Sequence, residues 1–196
     1  MPTPPYQEPG SSVAFWAVFG VFWVGEYAMR WRSRFNPSGA RTERLSFLVI
    51  VGTIGAGVAG ALVLASWRTT EIIGGRWPVF VIGLAMMIAG VVIRQWAILV
   101  LGRYFTADVR VHADQAVIET GPYRWVRHPS YSGLIIFFVG LGLALTNWTS
   151  LALLAVVPTF GLVVRIHSEE RVLLGGLGEP YARFAATRRR LFPGVW

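Results

Sequence analysis

Leu45–Ser66 reads LSFLVIVGTIGAGVAGALVLAS, a run of 22 residues without one charged side chain, and its reading decides the fold. A helix needs about 20 apolar residues to cross a hydrocarbon core roughly 30 Å thick. Four further apolar stretches flank it. Val13–Met29 contains one charge, Glu26, and Pro78–Leu101 is 24 residues long and contains Arg94. Ser130–Leu145 and Trp148–Val164 are separated only by Thr146 and Asn147. The second and third stretches meet the spanning length outright, while the first, fourth and fifth, at 16–17 residues, are marginal. Asn147-Trp148 reads as a turn followed by an interfacial aromatic, which makes the last two stretches a tight helical hairpin. The expected fold is an all-α integral membrane protein of about five transmembrane helices.

Composition agrees. Of 196 residues, 54% are hydrophobic and 14% charged, and the mean hydropathy is +0.53. A soluble domain carries roughly 25% charged residues. There is no cysteine, which excludes disulfides, thiolate metal sites and a cysteine nucleophile. A signal peptide is disfavoured, because no basic residue precedes Val13 and no small-residue cleavage site follows the first stretch. Pro2, Pro4, Pro5 and Pro9 make residues 1–12 an expected disordered tail. The chain then reads as one membrane domain. Residues 13–101 form spans one to three, 102–129 a cytoplasmic loop, 130–164 the hairpin and 165–196 a cytoplasmic C-terminal segment.

The net charge is +8, and all 18 basic residues are arginine. In a soluble protein a pI near 11 would suggest a nucleic-acid partner. Here the arginines read as topology, and no nucleic acid is expected. With five spans, 15 of the 18 fall on one side, two (Arg68 and Arg76) on the other, and Arg94 within a span. Arg41 and Arg110 belong to the rich side. The positive-inside rule places the N-terminus outside and the C-terminus in the cytoplasm. Exclusive use of arginine suggests a GC-rich genome and a bacterial plasma membrane. In the second stretch Gly52, Ala56 and Gly60 recur at spacing four, which permits close helix packing. That face serves either packing inside the monomer or a homodimer.

Dinucleotide, Walker, HExxH and GxSxG signatures are absent. Three histidines, His112, His128 and His167, make a weak case for metal, and none is expected. The chemistry-bearing residues gather in two segments. The first, Gly121–Gly133, reads GPYRWVRHPSYSG. Pro129 suits a first helical turn, and the free N–H groups there can hold a carboxylate. His128 can donate a hydrogen bond, and Tyr123 and Tyr131 offer rings and hydroxyls. An interfacial aromatic and arginine belt accounts for Trp125 and Arg124, but poorly for Gly-Pro-Tyr beside Arg-His-Pro-Ser-Tyr. The second segment reads Arg165-Ile166-His167-Ser168-Glu169-Glu170. On a helix continuing from span five, Arg165 and Glu169 share one face. They form either a surface ion pair or, at the membrane exit where charge is costly, a grip for a zwitterionic ligand. Arg94 lies about 10 Å from the end of its span at 1.5 Å per residue, so it either snorkels or faces a pocket.

These segments resemble the isoprenylcysteine carboxyl methyltransferase family of integral-membrane, S-adenosylmethionine-dependent enzymes. The resemblance runs through Leu101-Gly102-Arg103-Tyr104-Phe105-Thr106, Gly-Pro-Tyr-Arg and Arg-His-Pro-Ser-Tyr-Ser-Gly. It continues through Arg-xxx-Glu-Glu-xx-Leu at 165–173, Gly178-xx-Tyr181-xx-Phe184 and Arg190-Leu191-Phe192-Pro193. It covers roughly residues 90–193. It implies a cytoplasmic S-adenosylmethionine pocket built from the 102–129 loop and the C-terminal helices. The implied cofactor residues are Tyr123, His128, Pro129, Ser130, Tyr131 and Glu169, with Glu170 a lesser candidate. Arg165 would engage the acceptor carboxylate. Many members carry His-x-Leu-Val before the Gly-Pro-Tyr; here Gln115, Ala116, Val117 and Ile118 occupy that place. Backbone and apolar contacts survive this change, and a histidine contact does not.

The implied reaction is carboxyl O-methylation of a lipophilic acceptor, leaving S-adenosylhomocysteine. Its transfer step needs positioning more than acid–base chemistry. Three readings compete with it: a phospholipid or other lipid N-methyltransferase, an NADPH-dependent membrane reductase, and a non-enzymatic membrane scaffold.

Overall fold

The computed structural model describes residues 3–34, 44–72, 74–105, 115–194 and 196. Pro2, Arg41, Thr106, Arg110 and His112, all used in the sequence reading, lie outside the described residues. Six α-helices make up the described chain, with no strand among its named elements: α1 Ser11–Arg34, α2 Arg44–Leu64, α3 Arg76–Leu101, α4 Pro129–Ala144, α5 Trp148–Leu177 and α6 Glu179–Thr187. Helices α1, α2, α3 and α5 are long and apolar enough to cross a membrane. Helix α4, with 16 residues, is shorter. It is also the most enclosed, with Phe137, Phe138 and Leu141 almost wholly buried, so its apolar face is satisfied by protein. The chain is an integral membrane protein, and large apolar side chains such as Val24, Leu48, Leu99 and Phe160 remain exposed for lipid.

Helix ends fall within two residues of the apolar stretches, apart from α1, which runs on past Met29, and α5. Helix α5 runs 13 residues beyond Val164 into the charged segment, and its 30 residues span about 45 Å. That extension carries Arg165 and Glu169 on one continuous helix.

Packing centres on the seam between α3 and α4, where glycines let the backbones touch. A methyl group on Gly90 would lie 2.6 Å from the Gly133 carbonyl oxygen, and one on Gly140 2.7 Å from that of Gly83. The glycines recur at seven-residue spacing on both helices, 83 and 90 against 133 and 140, so the close approach is repeated two turns along. The Gly52, Ala56 and Gly60 face is divided. Gly60 packs against Leu153 of α5, while Gly52 and Ala56 are exposed.

At the end of the bundle away from the Gly121–Gly133 and Arg165–Glu170 segments, Asn147 caps α5. Its Oδ1 accepts the Ser150 amide at 3.0 Å, and its Nδ2 donates to the Trp67 carbonyl and Thr70 Oγ1. The α4–α5 connection is thereby tied to the α2–α3 connection. The N-terminal residues correct the expected disordered tail. Pro5–Gln7 form a 3-10 turn, Tyr6 is buried against Phe15 at 5.8 Å, and Arg76 donates to the Thr3 carbonyl. Prolines that deny this segment a helix also preset its turn, and Tyr6 supplies the anchor.

Candidate active site

The chain alternates direction, so the C-terminal ends of α1, α3 and α5 meet the N-terminal ends of α2 and α4. There they enclose a cavity of about 1350 Å³, counting its open mouth. Its wall contains Arg165 and Glu169 of α5, and Ser130 and Tyr131 of α4. Tyr123 and His128 of the preceding turn and Gln115, Ala116, Val117 and Ile118 also line it. Helix α6 contributes Tyr181 and Phe184. Pro129 and Glu170, two expected cofactor contacts, do not line the cavity. Pro129 opens α4, where its missing N–H costs nothing. Glu170 follows Glu169 by one residue, about 100° around the helix, and faces elsewhere.

Glu170 is held by three bases. Arg127 approaches Oε1 at 2.7 Å, His128 Nε2 lies 3.2 Å from the same oxygen, and Arg190 Nε donates to Oε2 at 3.0 Å. Beside this cluster the Arg127 and His128 amides donate to the Arg189 and Arg190 carbonyls at 2.8 and 2.9 Å. Ser132 Oγ donates to the Leu191 carbonyl. The C-terminal residues are thus stitched to the Arg-His-Pro motif, and Glu170 offsets part of the positive charge gathered there. His128 presents its ring to the cavity, stacked on Tyr131 at 5.6 Å, while its Nε2 faces Glu170.

Glu169 accepts a hydrogen bond from Tyr131 Oη at 2.7 Å. Arg165, only 4% exposed, donates to Ser46 Oγ of α2 at 2.9 Å. Such burial is not that of a surface ion pair. At the start of α4 the Tyr131 and Ser132 amides return to the His128 carbonyl, which narrows the anion grip expected there. Arg94 faces the cavity. It forks onto Glu26 through Nε and Nη2, the latter at 2.8 Å, and is 7% exposed, so it does not snorkel.

The phenol of Tyr123 is pushed above the usual range, first by burial and then by Glu169, with Arg94 easing the shift. Burial, followed by Glu170 and Glu169, does the same to Tyr181. Both remain protonated donors. Tyr181 Oη is buried without a hydrogen-bond partner among the described residues. A buried donor left unpaired costs about 1–3 kcal/mol, so a donor on a cavity wall marks a place for a ligand acceptor.

The sequence reading gave no site role to Glu26, Ser46, Tyr104, Phe105 or the apolar wall Met29, Phe47, Ile50, Val51 and Ile54. Glu26 carried a usable signal, as the single charge within an apolar stretch. The apolar residues carried none, since a helix face turned to a cavity has the same composition as one turned to lipid.

Residues 81–175 match the model of the isoprenylcysteine carboxyl methyltransferase (ICMT) family. A protein of Oryza sativa subsp. indica named "Probable protein-S-isoprenylcysteine O-methyltransferase" is 38% identical over 111 residues, covering 56% of this chain and 58% of that protein. Protein-S-isoprenylcysteine O-methyltransferase A of Arabidopsis thaliana is 37% identical over 112 residues, covering 56% and 57%. The chain thus matches little more than half the length of these curated relatives. The structure of a eukaryotic intramembrane Ras methyltransferase, ICMT, superposes with a TM-score of 0.67 at 20% identity. That match covers 93% of this chain and 68% of the other, and it establishes a shared fold.

Proposed function

We propose that this membrane protein, whose residues 81–175 match the model of the isoprenylcysteine carboxyl methyltransferase family, is an S-adenosylmethionine-dependent carboxyl methyltransferase. Its acceptor would be a lipophilic acid of isoprenylcysteine type. The observation that carries this reading is the convergence of buried Arg165 and the Tyr131–Glu169 pair on one cavity with an apolar flank.

The residues present suit the cofactor. The Glu169 carboxylate matches its ammonium or ribose hydroxyls, and the unpartnered Tyr181 phenol offers a donor to its acceptor atoms. Among the described residues no group of His, Cys, Asp or Glu could hold a metal ion. When bound, S-adenosylmethionine supplies an electrophilic methyl group and leaves as S-adenosylhomocysteine. An ionised carboxylate has no proton to lose, so the chain's task is alignment, which alone lowers barriers substantially. Arg165 would hold the acceptor carboxylate through its guanidinium fork. Its stem is fixed by burial and its head by Ser46. Met29, Phe47, Ile50, Val51 and Ile54 would receive the aliphatic part of the acceptor from the membrane.

Incubating bacterial membrane extracts with the protein and methyl-labelled S-adenosylmethionine should place label in the lipid-soluble fraction. Mild base should then release it as methanol, as a methyl ester requires. Base-stable label would mean N-methylation of a phospholipid or other lipid amine. No transfer, with hydride moving from labelled NADPH instead, would mean a reductase, and no affinity for either cofactor a scaffold. The arginine distribution further supports a cytoplasmic C-terminus, and the exclusive use of arginine a bacterial plasma membrane. A cytoplasm-dependent reporter fused after Trp196 should be active, and activity of only an external reporter would reverse the orientation.

A further inference from the structure

Glu26 lies on α1, outside the residues that match the family model. Its carboxylate receives both forked donors of Arg94 from α3, and the remaining Arg94 Nη1 lies 3.4 Å from the Ser130 carbonyl at the start of α4. Both side chains are nearly buried, at 8% for Arg94 and 12% for Glu26, and both line the cavity that holds Tyr123, Tyr131 and Glu169. The base of the Arg94 side chain packs on Gly133 of α4. A methyl group on Gly133 would already lie 3.0 Å from Arg94 Cβ. Arg94 and Glu169 both act on the Tyr123 phenol, so the pair stands within electrostatic reach of the polar end of the cavity. An unpaired guanidinium on that wall would raise the potential where a cationic ligand must bind.

We propose that Glu26 tunes the charge of the cofactor pocket: by neutralising Arg94 it keeps the cavity wall from repelling a sulfonium. This rests on the methyltransferase reading and adds to it a role for α1. The two forms of the cofactor provide the probe. S-adenosylmethionine carries a positive sulfur and S-adenosylhomocysteine a neutral one, and apart from the transferred methyl group the two molecules are the same. Two unit charges about 10 Å apart at an effective dielectric near 20 change a binding constant by roughly tenfold.

The full chain in detergent is titrated with each ligand by calorimetry. Glu26→Gln should weaken S-adenosylmethionine roughly tenfold more than S-adenosylhomocysteine. Arg94→Met, which leaves the carboxylate alone, should shift the ratio the opposite way, so either folded variant reports the sign. The double variant, without either charge, should restore the wild-type ratio. A ratio unchanged in a folded single variant, with both ligands weakened alike, would reduce Glu26 to a structural tie and overturn the proposal. Wild-type protein that binds neither ligand would instead sink the methyltransferase reading.

Discussion

Arg165→Ala should bind S-adenosylmethionine with nearly wild-type affinity and lose at least about a hundredfold in turnover, the scale of a misplaced acceptor. Glu169→Ala should lose the cofactor itself. The two residues are one helical turn apart on α5 and both bond the Tyr131 hydroxyl, but their other partners differ. Glu169 is linked to Tyr131 and acts on the Tyr123 phenol, at the polar end of the cavity. Arg165 is linked to Ser46 on α2, the helix that also supplies Phe47, Ile50, Val51 and Ile54. The polar end suits a nucleoside and amino acid, and the α2 side suits an acceptor headgroup with an apolar tail. Truncating one member of a buried charged hydrogen bond costs about 2–5 kcal/mol, so Glu169→Ala should weaken binding from tens to thousands of times. Glu169→Gln keeps the shape and a hydrogen-bond acceptor for Tyr131, and it separates loss of charge from loss of packing. Calorimetry for binding and labelled methyl transfer for turnover give the two readouts. Normal binding and turnover in both alanine variants would dismiss this assignment of roles.

Much of the architecture was legible because lipid imposes a strong rule on sequence: the spans must be long and apolar. The α2, α3 and α5 starts and the three-residue connection Leu145–Asn147 follow from that rule. The number of crossings is less legible, since α4 is short and enclosed and gains its stability from α3 and α5 rather than from lipid. The site was legible where chemistry is rare in a membrane. Arg165, Glu169 and the Gly-Pro-Tyr and Arg-His-Pro residues stand out against an apolar background. Glu170 shows the limit of that signal. Two adjacent carboxylates look alike in sequence, but only geometry gives one to the cavity and the other to Arg127, His128 and Arg190. The small-residue pattern on α2 was legible only in part, since Gly60 packs against Leu153 of α5 while Gly52 meets nothing. The face at Gly52, Ala56 and Gly60 attracts notice, whereas the seam that holds the site together uses Gly83, Gly90, Gly133 and Gly140 at a seven-residue repeat.

That seam yields a prediction whose sign depends on position alone. Gly90→Ala should lower the thermal midpoint by roughly 5 °C, while Gly52→Ala should leave it unchanged or raise it. Both glycines are helical, so alanine brings each about the same gain in helix propensity, near 1 kcal/mol. They differ in what the added carbon meets. At Gly52 it meets nothing within 4 Å. At Gly90 it would lie 2.6 Å from the Gly133 oxygen and the Phe137 nitrogen, and 2.9 Å from Phe137 Cα. All three are backbone atoms of α4, so no side-chain rotation relieves the clash and the two helices must separate. Overpacking typically costs about 1–3 kcal/mol, and in a chain of this length each kcal/mol moves the midpoint by roughly 2–4 °C. Separation would also displace the site, because Arg94 lies one turn beyond Gly90 and Ser130 and Tyr131 less than one turn before Gly133. Gly90→Ala should therefore lower S-adenosylmethionine affinity even below its midpoint, and Gly52→Ala should not. Tryptophan fluorescence melting in detergent, paired with calorimetry, reads both effects. A midpoint that rises in Gly90→Ala as it does in Gly52→Ala would mean that the α3–α4 contact is looser than these distances require.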